Sequence, residues 1–395
     1  MNASAYRRRE FIGLGIGGVA AASVGAGVWK GLLSGAAGES THRSAGYGPR
    51  RAPDANGIRL PDGFSSRLIA QGGEHVKGTS YAWHVASDGA ATFPTDGGGW
   101  ILVSNSEAPD GGASSIRFTH DGGVADAYRI LGGTTANCSG GGTPWGTWLS
   151  CEEVLNGQVW ECDPSGRRKA VVRPAMGIFK HEAAAVDEAA RTIYLTEDLA
   201  DGCLYRFNPT RWHDLSSGLL EVATVKPGGA VRWTEVPDPA GRRVETRDQV
   251  RGSTSFSRAE GIRFDSGTVY IATTSDDKVH AYDTRRERIE VIYDGLAMAE
   301  APLVNVDQLA VSQAGELFVC EDVPTAEIHM GVITPKRRVS RFLSVTGKQH
   351  ANSELTGVAF DPSGSRMYFS SQRARETGAI YEVRGPFKKP RRTRA

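Results

Sequence analysis

The sequence predicts an all-β protein, a six-bladed β-propeller, and two observations carry the prediction. The first is a recurring strand: WILVSN at 100–105, TWLSCE at 147–152, TIYLTE at 192–197, TVYIAT at 268–273, ELFVCE at 316–321 and RMYFSS at 366–371. Their starts are 47, 45, 76, 48 and 50 residues apart, the long interval being stretched by an insertion at 210–255. The second is a companion strand. Beyond a short polar loop, most of these strands lead into SIRFTHDG, GQVWECDPSG, GCLYRFNP, KVHAYDTR and GAIYEVRG, rich in β-branched and aromatic residues. Asp-Pro-Ser-Gly at 163–166 and at 361–364 supplies the turns. A period of about 40–50 residues built from several strands is that of propeller blades.

In chain order, the first element is a targeting signal. Residues 1–37 contain Arg8-Arg9, then Glu10, Phe11 and Ile12, and an uncharged run rich in glycine and alanine as far as Trp29. A twin arginine before a weakly apolar core marks a substrate of the twin-arginine export machinery. The protein is therefore expected in the periplasm, at the cell surface or outside the cell, membrane-anchored if the signal stays uncleaved. Ser34-Gly35-Ala36-Ala37 offers a cleavage site of small residues. Export of an already folded chain suits a protein that takes up a metal first. Residues 38–60 read as a linker, 61–385 as a single propeller domain, and 386–395 as a disordered basic tail.

Composition excludes some functions. Lys and Arg number 46 against 45 Asp and Glu, for a net charge of +1, so no basic face for nucleic acid is implied. No segment looks self-complementary, and a monomer is expected. Five cysteines cannot all pair, which leaves at least one free thiol. Cys162, Cys203 and Cys320 lie in apolar strand-like runs and read as buried small side chains. No Walker loop or nucleophile elbow is present. KHEAAAVDE begins like a zinc-protease helix, but Ala185 stands where the second histidine belongs.

Each recurring strand is preceded by another whose head is polar. Glu182, Glu260, Asp307 and Glu354 lie 12, 10, 11 and 14 residues ahead of Tyr194, Tyr270, Phe318 and Tyr368, and Cys138 lies 10 ahead of Trp148. In a propeller the innermost strands line the central channel, so these heads should meet at one mouth. Carboxylates and a thiol converging there repel one another unless cations neutralise them. A thiolate favours a transition metal, and the oxygen ligands favour calcium or magnesium. For the first blade, SYAWHVASDG offers His84. A second tier of acids stands just after the recurring strands: Glu107, Glu152, Glu153, Glu197, Asp198, Glu321 and Asp322. The glycines after Cys138, at 140–142, read as a loop closing around an ion or a phosphate.

The motifs NCSGGGTPWGTWLSCEE, FKHEAAAVD, YLTEDLADGCLYRF, SRAEGIRFD, LFVCEDV and SELTGVAFDPSG, in this order between about 95 and 385, resemble the PhoX-type alkaline phosphatase family. The resemblance implies a monomeric, exported propeller that hydrolyses small phosphate monoesters at a cluster of two ferric ions, Fe(III), and calcium ions, Ca2+. By position it implies that Cys138 bridges the irons. Glu182 and Glu260 would be carboxylate ligands, with Asp307 and Glu354 matching the later acidic motifs. Arg258 would hold the phosphate, as a guanidinium fork matches its oxygens. The family's Asn-His-Glu motif reads Asn105-Ser106-Glu107 here, and no counterpart of a second cationic phosphate contact stands out. EGIRFDSGTVYIAT also resembles the strand repeat of gluconolactonase-like propellers, whose calcium site needs no thiolate. A non-catalytic, metal-stabilised binding propeller is the third reading.

Overall fold

Each recurring strand becomes the second strand of an antiparallel sheet, paired on both sides and almost wholly buried, which is why its residues are apolar on both faces. The computed structural model describes residues 46–390, and six such sheets form the blades. The export signal expected at residues 1–37 and the last five residues of the expected basic tail lie outside the described residues.

The inner strands run Ser87–Pro94, Asn137–Gly142, His181–Asp187, Ala259–Asp265, Val306–Val311 and Leu355–Phe360 in blades one to six. Blade three carries an extra outer strand, Val231–Glu235, built from the insertion that stretched the repeat. The ring closes with an amino-terminal strand: Ser65–Gln71 pairs antiparallel with Ala379–Arg384 as the outer strand of blade six. Far down the channel the guanidinium of Arg263, in blade four, donates to the carbonyls of Leu309 and Ala90, at 3.0 and 3.1 Å, in blades five and one. No helix among the described residues is long and apolar enough to cross a membrane.

Two segments expected to be loose are part of the fold. Ile58–Arg59, within the expected linker, pairs with Val339–Thr346 on the edge of blade five. Phe387, within the expected tail, is buried beside Phe64, Phe342 and Phe360, with ring centroids 5.0 to 5.8 Å apart. Tyr47 joins the same aromatic cluster, and Lys388 reaches Glu316 at 2.7 Å. The composition of both segments is polar enough to read as solvated, but Tyr47 and Phe387, one ring from each, anchor them in the aromatic cluster.

Replacing Phe387 with Ala is expected to lower the unfolding free energy by about 3 kcal/mol. Urea denaturation checks it. A change below about 0.5 kcal/mol means that the tail only rests on the surface.

Candidate functional site

A repeated irregularity builds the site. In blades one to five the first residue of the inner strand pairs with the last of the second: Ser87 with Ser106, Asn137 with Glu152, His181 with Glu197, Ala259 with Thr273, Val306 with Glu321. Blade six matches with Leu355 against Ser371. The register then shifts at a β-bulge, which re-aims the next side chain. Those next residues are Asp88, Cys138, Glu182, Glu260, Asp307 and Thr356.

A backbone hydrogen bond locks each bulge. The amide of the residue just past the second strand donates to the carbonyl two residues ahead of the ring residue. The pairs are Glu107 to Ala86, Glu153 to Ala136, Asp198 to Lys180, Thr274 to Arg258, Asp322 to Asn305 and Gln372 to Glu354, at 2.9 to 3.2 Å. Ala86, Ala136, Arg258 and Asn305 have φ between 42° and 52°. A non-glycine residue there costs roughly 1–2 kcal/mol, and its recurrence in four blades ties it to the shared turn.

The ligand atoms of these residues fall into three groups, each within 4.8 Å: Asp88, Glu107 and Cys138; Cys138, Glu153 and Glu182; Glu182, Glu260 and Asp307. Cys138 belongs to the first two groups and Glu182 to the last two, so the groups form a chain. The Cys138 thiol lies 3.3 Å from Glu182 Oε1. Glu182 Oε2 and Asp307 Oδ1 are buried without a hydrogen-bond partner among the described residues. Buried carboxylate oxygens are seldom left so, and a cation shared by each group satisfies them. The donor set therefore fits metal ions.

The second-tier acids separate into two kinds. Glu152, Glu197 and Glu321 turn into their own blades. Glu152 accepts from the Thr135 and Gln158 amides and the Trp160 indole, and Glu197 from the Cys203 amide and the Tyr205 hydroxyl. Glu321 accepts from the Val304 and His329 amides. They brace the loops. Glu153, Asp198 and Asp322, one residue further on, face the mouth. Lys180 Nζ lies 2.7 Å from Glu153 and 2.8 Å from Asp198, and Arg258 Nε lies 2.9 Å from Asp198 Oδ1. The Arg258 guanidinium also pairs with Glu260.

Three expectations need correction. Glu354 is not the blade-six ring residue: the register gives that place to Thr356, and Glu354 sits two positions earlier, paired with Arg373 at 2.9 Å. Its spacing of 14 residues was the outlier. His84 turns aside to Ser114, at 2.9 Å, and Asp88 heads blade one. A longer hairpin, with a short 3-10 turn at Asp96–Gly98, lengthened that spacing and hid Asp88. The glycines after Cys138 form strand, not an ion-wrapping loop. A Cβ at Gly140 would meet the Leu149 carbonyl oxygen at 1.9 Å, and one at Gly141 that of Ala184 at 2.1 Å. They let neighbouring strands close in behind the thiol.

Asn137, beside Cys138, holds the strand head: its side chain accepts from the Gly112 amide at 2.6 Å and donates to Ser150 at 2.9 Å. All five cysteines are free and buried. Two concave spaces outside the mouth, one at the far end of the channel beside Arg263 and one between blades one and two, hold none of these acids.

Electrostatics derive from burial. Burial, then neighbouring carboxylates, pushes Glu182 and Asp307 well above the usual carboxylate range, and burial with Asp88 and Glu182 pushes up the Cys138 thiol. Burial and Glu107 raise Asp88 from 3.8 to about 7 against hydrogen bonds from Gln372, Gln308 and the Gly89 amide. Asp198 goes the other way. Burial would raise it, but a hydrogen bond from Glu153 and the charges of Arg258 and Lys180 hold it at about 2.

Comparisons with known proteins bear on the fold and on the family. A family model described as alkaline phosphatase PhoX matches residues 107–293. Among solved structures, Pseudomonas fluorescens PhoX in complex with vanadate, a transition state analogue, superposes with a TM-score of 0.72 at 17% identity, over 88% of this chain and 98% of that one. A gluconolactonase from Xanthomonas campestris gives 0.51 at 12% identity, over 86% and 98%. A Bacteroides thetaiotaomicron protein of unknown function gives 0.52 at 12%, over 85% and 83%. At these identities the solved structures establish the fold alone. No curated protein matches the chain.

The raised carboxylates set a pH dependence for chelator-treated protein. Asp88 titrates near 7 folded and near 3.8 unfolded, so between those values the folded state binds more protons. Its contribution to stability is complete below about pH 4 and is lost as pH rises through 7. Melting temperatures of metal-free protein are therefore expected to fall from pH 5 to pH 8. Melts that stay flat or rise over that interval contradict the assignment.

Proposed function

We propose, from the match of residues 107–293 to the alkaline phosphatase PhoX family model, that the chain is a member of that family and an exported phosphomonoesterase working at the mouth of acids and thiol. The observation that carries this reading is Cys138, which stands in two ligand groups at once among carboxylates with unsatisfied buried oxygens. A thiolate shared between sites calls for a transition metal, and we assign it iron, Fe(III). The group of Glu182, Glu260 and Asp307 is all oxygen and suits calcium.

Asp88, Glu107, Cys138, Glu153, Glu182, Glu260 and Asp307 would hold the ions. When bound, such ions polarise a phosphoryl oxygen and lower the pKa of water. The remaining work falls to the chain's own side chains. Arg258 is braced by Asp198 and Glu260, so its guanidinium keeps one direction and offers its free N–H groups to phosphate oxygens. Charge that grows on those oxygens during in-line displacement meets a cation already in place, with no reorganisation cost. Gln308 and Gln372 both donate to Asp88, and Gln372 also to Glu107, which fixes two ligand carboxylates across blades one, five and six.

Arg8-Arg9 and the apolar run behind them support export through the twin-arginine machinery, and the net charge of +1 with no self-complementary segment supports a monomer. The substrate class is a small phosphate monoester. The alternative of a gluconolactonase-like hydrolase shares the propeller but has no use for Cys138.

The test combines elemental analysis with p-nitrophenyl phosphate hydrolysis at alkaline pH. Iron and calcium with turnover, and inhibition by vanadate, are expected. Cys138→Ser is expected to lower turnover more than about 100-fold and to reduce bound iron. Calcium alone without turnover, or a fully active serine variant, would sink the phosphatase reading.

A further inference from the structure

Three residues beyond the ring residues, the inner strands carry a second layer. Its members are Ala91, Gly141, Ala185, Arg263, Ala310 and Ala359, aligned by their pairing with Val103, Leu149, Tyr194, Tyr270, Phe318 and Tyr368. Five of the six are alanine or glycine, and the sixth is an arginine. The small side chains leave the width that one guanidinium needs to cross from blade four to the carbonyls of Leu309 and Ala90. Arg263 is half-buried, and it opens on a cavity of about 270 Å³ that Ala91, Ala310 and Ala359 also line.

We propose that this cavity binds a small monovalent anion, such as chloride, on the guanidinium of Arg263, at the end of the channel remote from the acids and the thiol. A guanidinium has five N–H donors. Two serve the carbonyls, and the other three have no acceptor among the described residues. Carbonyl oxygens satisfy N–H groups, but they do not balance a charge. Burial, with no neighbouring charge to oppose it, lowers Arg263 from 12.5 to about 10, so it is still a cation at neutral pH. A buried charge left alone is costly, and proteins pair such charges. The rest of the cavity narrows the choice of anion. The Thr92 hydroxyl is spent on the Phe360 carbonyl, at 2.5 Å, and Phe264, Val311, Val358 and Phe360 add apolar walls. One cation among such walls suits a single, loosely hydrated charge. Phosphate, with two charges and several oxygens, needs more donors than the described side chains supply.

Asp265 is the competing counter-ion. It ends the same strand, two residues further from the mouth, and lines the same cavity. It makes no ion pair with Arg263, whose pKa answers to burial alone. A carboxylate so placed repels anions, those with two charges most, and so favours a halide over phosphate or sulfate. The site stands apart from the mouth and does not depend on the phosphatase reading.

The experiment uses the whole protein, with bromide as the probe. Crystals are soaked in sodium bromide and the anomalous signal is located. Melting temperatures are measured in sodium chloride, bromide and gluconate at equal ionic strength, gluconate being bulky and strongly hydrated. A bromide peak beside the guanidinium of Arg263 is expected, with a melting temperature about 2 °C or more higher in chloride than in gluconate. Arg263→Met is expected to lose both the peak and the difference. Asp265→Asn is expected to lower the half-saturating chloride concentration about threefold, and it decides the matter if the methionine variant does not fold. No bromide at Arg263 in the wild type overturns the proposal, as does an Arg263–Asp265 ion pair that fills the cavity, or phosphate or sulfate bound there in preference to bromide. A chloride effect that survives in Arg263→Met puts the ion elsewhere and overturns it too. An unchanged or raised half-saturating concentration in Asp265→Asn takes the ion out of the shared cavity, with the same consequence. A bromide peak without any chloride effect in solution is an adventitious ion only, and the site then has no occupant in the working protein.

Discussion

The structure depends on keeping acids and one thiol together in a place with little water. Asp88, Cys138, Glu182, Glu260 and Asp307 are each at most 7% exposed, and they converge on one channel mouth. Ionised together, they would repel one another in a low-dielectric setting where nearby like charges are least screened. The protein opposes this with Arg258 on Glu260 and Asp198, Lys180 on Glu153 and Asp198, and Arg373 on Glu354. Asp88, Cys138, Glu182 and Asp307 have no such cation among the described residues and are left to protons or metal ions. A fold that keeps them so close, against that cost, is organised around the cations it takes up.

The bulge makes such crowding possible. A plain antiparallel strand sends successive side chains to opposite faces. The register shift at the head of each inner strand adds a residue and turns one side chain inward from every blade. Because the same backbone bond recurs in all six blades, the frame is nearly six-fold, while the chemistry hung on it is not. Acids or the thiol fill both tiers in blades one, two, three and five. Blade four has Thr274 in the outer tier, and blade six has Thr356 and Gln372. Gln372 is neutral and donates to Asp88 and Glu107 across the blade boundary, so it orders acids without adding a charge.

Much of this was legible in the sequence, for physical reasons. The recurring strands are buried on both faces, so they read as near-continuous apolar runs at blade spacing. The ring residues Cys138, Glu182, Glu260 and Asp307 kept near-constant offsets from them because hairpin lengths there are alike. Where a hairpin differs, the reading failed, as the turn at 96–98 concealed Asp88; in blade six the offset is ordinary, but Thr356 is neutral and the acid two residues before it, Glu354, stood in for it. Adjacent acids such as Glu152 and Glu153 have the same composition but opposite directions, which only strand register settles. Phe387 and Tyr47 escaped notice because one ring in a polar segment gives no periodicity.

The asymmetry also orders the mouth by function. Softness is concentrated at Cys138, between blades one and three, where the two groups that share the thiol meet. The all-oxygen group lies on the side of blades three to five, and Arg258 stands over it, paired with Glu260 of that same group. Lys180 stands on the opposite flank of Asp198, paired with Glu153 of a thiol-containing group. Each cation is thus tied on one side to a carboxylate of these groups and on the other to Asp198, an acid that belongs to none of them. Glu182 is the one carboxylate that belongs to a thiol group and the oxygen group together, so the soft and the hard halves of the mouth meet on its two oxygens.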